Sequence, residues 1–213
     1  MAAFFANRCF EDSIFPHLRV LRACFAFISD YLCPSVVSFS CMARGKLIYL
    51  SLGSNLGDRA ANLERAISAL PEAGVRVLRR SSLYETEPVD YLAQPWFLNC
   101  VVEAETSLMP RQLLHALQGI ERGFGSAKPV ARGPRIIDID ILFYGTSVIR
   151  TEEMEIPHPR LDKRRFVLVP LAELAPGLRH PVLGATITEL TASAQDTSTV
   201  RLWQLQGSDL HSK

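Results

Sequence analysis

The chain has 213 residues, 48% hydrophobic and 21% charged, a mixture that supports a packed core and excludes an intrinsically disordered chain. Lys plus Arg number 23 against 22 Asp plus Glu, so the formal charge of +1 gives no bulk attraction for nucleic acid. No run reaches the roughly 18 uncharged apolar residues that suggest a membrane span, so neither a membrane nor nucleic acid is an expected partner.

The length suits one domain, or one domain with an extension. Cys9, Cys24, Cys33 and Cys41 crowd the start of the chain, and Cys100 stands apart. An odd number with one remote member is a poor disulfide framework, and no CxxC pair offers a zinc site. A reducing compartment, the cytoplasm, is therefore expected. Residues 1–43 read as short apolar runs broken by Arg19, Arg22, Asp30 and Pro34, with no sustained period. Arg19 and Arg22 ahead of ACFAFIS have the order of a secretory signal, but that stretch starts late and Asp30 interrupts it. The expectation is an extension over 1–43, with Met42 as the true start, and one domain over 44–213.

In chain order, Lys46 to Leu52 is rich in strand formers and ends in the turn sequence Gly53-Ser-Asn-Leu-Gly57. Asp58 is placed to cap a helix whose Leu63, Ala66, Ile67 and Leu70 recur at helical spacing, up to Pro71 and Gly74. Val75 opens a second strand reaching about Tyr84, and Phe97 to Glu105 alternates as a third. Pro110 starts a helix with Leu113, Leu114, Leu117 and Ile120 on one face. Ile136 to Tyr144 is a fourth strand, and Val148 to Ile156 is placed to return beside it. Arg164 to Leu174 and Ile187 to Leu190 read as short helices, and Val200 to Leu205 as a late strand. Strand, helix, strand, strand, helix, strand predicts an α+β domain of ferredoxin-like type, an antiparallel sheet with two helices on one face. A doubly wound parallel sheet would need a crossover helix between strands two and three, and none is there.

The most informative stretch is GPRIIDIDILF (133–143). Asp138 and Asp140 are two apart on a strand, so their carboxylates share one face while Ile137, Ile139 and Ile141 take the other. Two neighbouring carboxylates repel unless a cation lies between them, and hard oxygen ligands suit Mg²⁺, which usually arrives with phosphates. Alone, the pair also fits the solvated face of a half-exposed strand. Lys128, Arg132 and Arg135 upstream, with His158, Arg160, Lys163, Arg164 and Arg165 downstream, add two basic segments suited to a triphosphate. No Walker loop, GxGxxG or GxSxG is present, so nucleotide binding here must use a different geometry.

The stretches YLSLGSNLGDR (49–59), SSLYETEP (81–88), WFLNCVV (96–102), GPRIIDIDILFYG (133–145), IPHPRLDKRRFVLVPL (156–171) and ELAP (173–176) resemble, in order and spacing, the 6-hydroxymethyl-7,8-dihydropterin pyrophosphokinase family. The resemblance implies a ferredoxin-like fold, ATP as co-substrate, two Mg²⁺ ions, and transfer of pyrophosphate to the pterin hydroxymethyl group with release of AMP. It implies that Asp138 and Asp140 hold the metals and that Arg135 and Lys128 join them in catalysis. Thr86, Pro88, Val89, Phe97, Asn99 and Phe166 would form the pterin subsite. Gln118, Glu121, Lys128, Arg135, His158 and Arg164 would hold the nucleotide. An amide suits the pterin edge because it offers both a donor and an acceptor. Aromatic planes suit its flat ring.

The chain departs from the family at Glu87, where members often carry proline. It departs again at Gly125-Ser-Ala-Lys128, where many carry GRxR. Lys128 keeps one charge but not the arginine fork. Gly123, Gly125 and Gly133 would let that loop move. Glu153 stands where some members have a basic contact. Two other functions fit parts of the pattern: a different phosphoryl-transfer enzyme using the acid pair, and a ferredoxin-like domain that binds nucleotide or RNA without chemistry. The Phe97, Asn99 and Phe166 set argues against the first, and the near-zero charge against the second. The expected partners are small molecules, and a monomer is expected, with a dimer as the alternative.

Overall fold

The computed structural model describes residues 45–89, 93–125 and 133–204. The chain divides into one unit, Met1–Cys41, and a second, Met42–Lys213, and the second is described here. The expectations for residues 1–43 and for Ser126, Lys128 and Arg132 lie outside the described residues.

The elements follow the hydrophobic pattern. Strand β1 (Lys46–Ser54) leads into α1 (Arg59–Ala69), whose first turn is capped by Asp58 accepting from the Ala61 amide at 3.0 Å. The helix stops at Pro71 and at Gly74, whose φ of +80° is a conformation that suits glycine. Strands β2 (Val75–Arg80), β3 (Tyr84–Thr86) and β4 (Phe97–Thr106) follow. Helix α2 (Pro110–Gly123) then places Pro110 in its first turn, where the missing N–H costs nothing. After β5 (Asp138–Tyr144) come the two-residue strands β6 (Ile149–Arg150) and β7 (Glu155–Ile156), helices α3 (Arg165–Leu174) and α4 (Ile187–Ser193), and β8 (Val200–Leu202).

The sheet order is β5-β1-β4-β3-β8, with β2 also paired to β4, and every pairing is antiparallel. From β1 to β5 this is the ferredoxin-like arrangement. One face is packed by α1 and α2: Leu63, Ala66, Leu113 and Leu117 meet Ile48, Leu50, Leu52, Cys100, Ile139 and Ile141. The other face is not left bare. Helices α3 and α4 cover its lower half, where Val167, Leu168, Leu171, Ile187 and Leu190 join Tyr49, Val101 and Phe143.

Two expectations are corrected. The second strand does not run unbroken to Tyr84. Between β2 and β3, the Ser81 hydroxyl accepts from the Val101 amide at 2.9 Å, replacing a backbone partner and ending the ladder. Residues Val148 to Ile156 do not pair with β5; β6 and β7 pair with each other in a separate ribbon. A register shift opposite Tyr49/Leu50 puts both Leu142 and Phe143 on the α3 side of the sheet.

Because Leu63 is wholly buried beneath the sheet, Leu63→Ala should lower stability by about 2–5 kcal/mol. Urea unfolding followed by circular dichroism measures the loss.

Candidate active site

The register of β1 builds the floor of a cleft. Gly53 lies opposite Asn99 on β4 and opposite Asp138 on β5. Two residues back, Ser51 lies opposite Val101 and Asp140. Opposed residues of an antiparallel pair share a face, so Asn99, Gly53 and Asp138 form one row and Val101, Ser51 and Asp140 the next. Helix α3 covers the sheet only as far as Val101 and Tyr49, and the upper row stays open to the cleft.

This cleft encloses about 880 Å³ of empty space, its open mouth included. Of the residues expected at the site, Thr86, Pro88, Val89, Phe97, Asn99, Arg135, Asp138, Asp140, His158, Arg164 and Phe166 all line it. Gln118 and Glu121 are not among the residues that line it. Glu121 is buried at the end of α2, where its Oε1 accepts from the Ile139 amide at 2.9 Å and so fixes the start of the acidic strand. Glu153 is also away from the cleft, paired with Arg111 at 2.9 Å.

Each wall has an identifiable support. Asn99 Nδ2 donates to Thr86 Oγ1 at 2.7 Å, and its Oδ1 lies over Gly53. A Cβ at position 53 would come within 2.5 Å of that oxygen, so Asn99 keeps this position only over a glycine, chosen for close approach rather than for turn geometry. Asn55 is the second residue whose role the motif did not reveal. It is buried, its Oδ1 accepts from the Arg135 amide at 2.7 Å, and its Nδ2 donates to Gln94 Oε1 at 3.1 Å. It clips together the two loops that flank the cleft. Arg160, singled out in the downstream basic segment, and Glu87 also line the cleft, as does Gln94, which no spacing rule would have marked.

The electrostatics are those of a site prepared for a cation and an anion together. Arg135 pairs with Asp138. Asp140 is pushed up to about 6, first by desolvation on the cleft floor and then by the Asp138 charge. Its side chain still has 41% of its surface open, so a cation entering the cleft can reach it and relieve the repulsion. His158 is pulled down to about 4 by burial, and further by the charges of Arg164 and Arg160. It is therefore neutral at pH 7, and its Nε2, 3.9 Å from Asp140, forms neither an ion pair nor a hydrogen bond.

Among the described residues no cluster of three or more His, Cys, Asp and Glu side chains forms a closed metal cage. Two carboxylates alone fit Mg²⁺, which keeps several waters and takes phosphate oxygens for the rest of its octahedron. No helix of the described residues is long and apolar enough to cross a membrane.

The acid pair and Asn99 thus share one half-covered sheet face, with Phe97 and Phe166 also lining the cleft. Residues 49–176 match the family model of 7,8-dihydro-6-hydroxymethylpterin-pyrophosphokinase (HPPK), and the chain belongs to that family. It is 42% identical over 159 residues to the Bacillus subtilis 2-amino-4-hydroxy-6-hydroxymethyldihydropteridine pyrophosphokinase, covering 74% of this chain and 90% of that one. It is 47% identical over 140 residues to the folic acid synthesis protein fol1 of Pneumocystis carinii, covering 66% of this chain and 19% of the fungal protein. The chain thus corresponds to about a fifth of the length of that fungal relative. A Plasmodium falciparum HPPK-DHPS crystal structure with pteroate shares the fold at a TM-score of 0.55 and 18% identity, over 71% of this chain and 44% of that one.

The raised Asp140 value has a consequence for stability. Its folded value lies above the 3.8 of an ordinary aspartate, so the fold binds this proton more tightly than the unfolded chain does. Stability from that proton is present below about pH 4 and is lost as pH rises through about 6. Asp140→Asn should therefore raise the melting temperature of the metal-free protein at pH 7, and the gain should vanish below pH 4. Thermal unfolding across that range in EDTA checks it.

Proposed function

We propose that this chain transfers the pyrophosphoryl group of ATP to 6-hydroxymethyl-7,8-dihydropterin and releases AMP, a step that serves folate synthesis. The observation that carries the reading is the shared floor, where a metal-type acid pair and a pterin-type amide and aromatic set meet across Gly53. A sugar or lipid kinase would need the first but not the second.

Phe97 and Phe166 take the two faces of the bicyclic ring, and Asn99 takes its amide edge. The Thr86–Val89 rim closes the side. Arg135, Arg160 and Arg164 receive the triphosphate, with Lys128 as a further cation for it, while neutral His158 supplies a hydrogen bond rather than a charge. Asp138 and Asp140 would hold two Mg²⁺ ions, which draw charge from the phosphates and stabilise the leaving group. The hydroxymethyl oxygen forms a bond to the β-phosphorus as the bond from that phosphorus to the α,β-bridging oxygen breaks. AMP leaves with the electron pair, and the hydroxyl proton passes to solvent. Most of the rate comes from positioning and charge stabilisation, and no covalent enzyme intermediate is needed. Every described side chain in this scheme comes from one chain, so a monomer suffices, and the reduced, buried Cys100 suits the cytoplasm.

Purified protein supplied with ATP, Mg²⁺ and the hydroxymethyl dihydropterin should form AMP only when the pterin is present. EDTA should abolish it, and the paired change Asp138→Ala with Asp140→Ala should reduce it by at least roughly 100-fold. ADP as product, or ATP consumed without pterin, would overturn the reading.

Gly53→Ala should raise the pterin KM about tenfold, because the added methyl displaces Asn99, while the ATP KM changes less than about twofold. Steady-state kinetics with each substrate varied in turn separates the two.

A further inference from the structure

The segment from Ala194 to Gln204 lies beyond the family match at 49–176, and neither the mechanism nor the motif uses it. It nevertheless touches both walls of the pterin subsite.

At one end it caps the helix that carries Phe166. The residue before α3, Arg164, makes no side-chain cap, so the first amide of the helix, that of Arg165, would be left without a partner. Asp196, 31 residues downstream, accepts from that amide at 2.9 Å through Oδ2. Its other oxygen, Oδ1, accepts from the Ser198 amide at 2.9 Å. Burial opposes the charge on Asp196, but the Ser198 and Arg165 amides and the Arg165 charge outweigh it and hold the carboxyl below its usual range. A carboxylate at a helix N-terminus is also favoured by the helix dipole.

At the other end the segment closes the rim. Strand β8 pairs with β3, with Val200 opposite Thr86 and Arg201 opposite Glu85. Just beyond, Glu87 and Thr199 exchange two bonds: the Glu87 amide donates to the Thr199 carbonyl at 3.2 Å, and the Thr199 amide donates to Glu87 Oε2 at 2.9 Å. Glu87 lines the cleft, and a proline there could not give the first of these bonds. Arg201 adds a fork onto Glu85, at 3.0 and 2.6 Å, and its guanidinium lies 4.7 Å from the centroid of the Trp96 ring, next to Phe97.

We propose that residues 194–204 form a strap that fixes the spacing of the two walls of the pterin subsite, with Asp196 and Arg201 as positioning residues. Asp196 acts through the helix bearing Phe166, and Arg201 through the Glu85–Val89 rim and Trp96. The strap rests on the functional reading above. It makes pterin affinity depend on a segment that does not touch the pterin.

The test compares full-length Asp196→Ala, Asp196→Asn and Arg201→Ala with Thr186→Ala. The last removes the Thr186 hydroxyl that accepts from the Glu189 amide at 3.2 Å, a cap on α4 outside the cleft, and so controls for stability alone. Dihydropterin binding is followed by fluorescence with a non-hydrolysable ATP analogue bound, alongside KM for each substrate. Asp196→Ala should weaken dihydropterin binding and raise its KM about fivefold to tenfold, with the ATP KM within about twofold. Asp196→Asn, which keeps one acceptor, should fall between, and Arg201→Ala should shift pterin binding in the same direction. Thr186→Ala should leave it within about twofold. Unchanged pterin binding in Asp196→Ala and Arg201→Ala, or an equal loss in Thr186→Ala, overturns the strap alone. Should Asp196→Ala fail to fold, Asp196→Asn and Arg201→Ala decide by the same criteria. A wild-type protein that does not bind the dihydropterin overturns the functional reading and the strap with it.

Discussion

The register of β1 between β4 and β5 places the two small residues Ser51 and Gly53 in the middle of the sheet, with the acid pair on one side and Asn99 on the other. Nothing bulky rises from β1 at those two positions, so the sheet itself becomes the floor of a cleft. A one-residue slip would send Asp138 and Asp140 into the apolar face now filled by Ile139, Ile141 and the helices above them. The apolar burial of that opposite face therefore fixes the polar face as well. The cost of slipping is the loss of the core, not of any contact in the site.

The second constraint is that α3 and α4 cover only half of the polar face. Tyr49, Val101 and Phe143 disappear beneath them, and the rows beyond remain open. Phe166 and Arg164 stand at the end of α3, at the boundary between covered and open sheet, so the helix that seals the core also presents an aromatic wall and a cation to the cleft. The site keeps unfavourable electrostatics in consequence. Asp140 is held near Asp138 in a poorly solvated place, and Arg135 compensates only part of that repulsion. Such local conflict is characteristic of positions retained for binding rather than for stability.

The supports of the cleft come from far apart in the chain. Asn55 at the end of β1 holds the loop of Arg135, Glu121 at the end of α2 holds the first residues of β5, and the segment after α4 holds both β3 and the start of α3. The hold on β3 is a strand pairing, and in the others a polar side chain meets a backbone amide. None of these partnerships has a fixed sequence separation. That is why Asn55 read only as part of a turn, and why the bond from the Ile139 amide to Glu121 could not be read from spacing.

The elements were legible because their signals are local. Alternation in β4 and β5, the helical spacing of Leu63, Ala66 and Leu70, and the caps at Asp58 and Pro110 each depend on neighbours within a turn or two. The pairing of Asp138 with Asp140 on one face was equally legible, since a strand alternates whatever it packs against. What the local signals could not give was the break at Ser81, where a hydroxyl satisfies an amide 20 residues away, or the pairing of β6 with β7 in place of β5. By itself the sequence determined which residues make strands and helices, which face each presents, and which family's chemistry they carry. Only the tertiary structure decided that half of one sheet face stays uncovered, that Asn99 keeps its position only over a glycine at Gly53, and that the last strand ties the rim to the helix. Those outcomes depend on long-range register and on amides left over after each element has satisfied its own, and no window of sequence contains both partners.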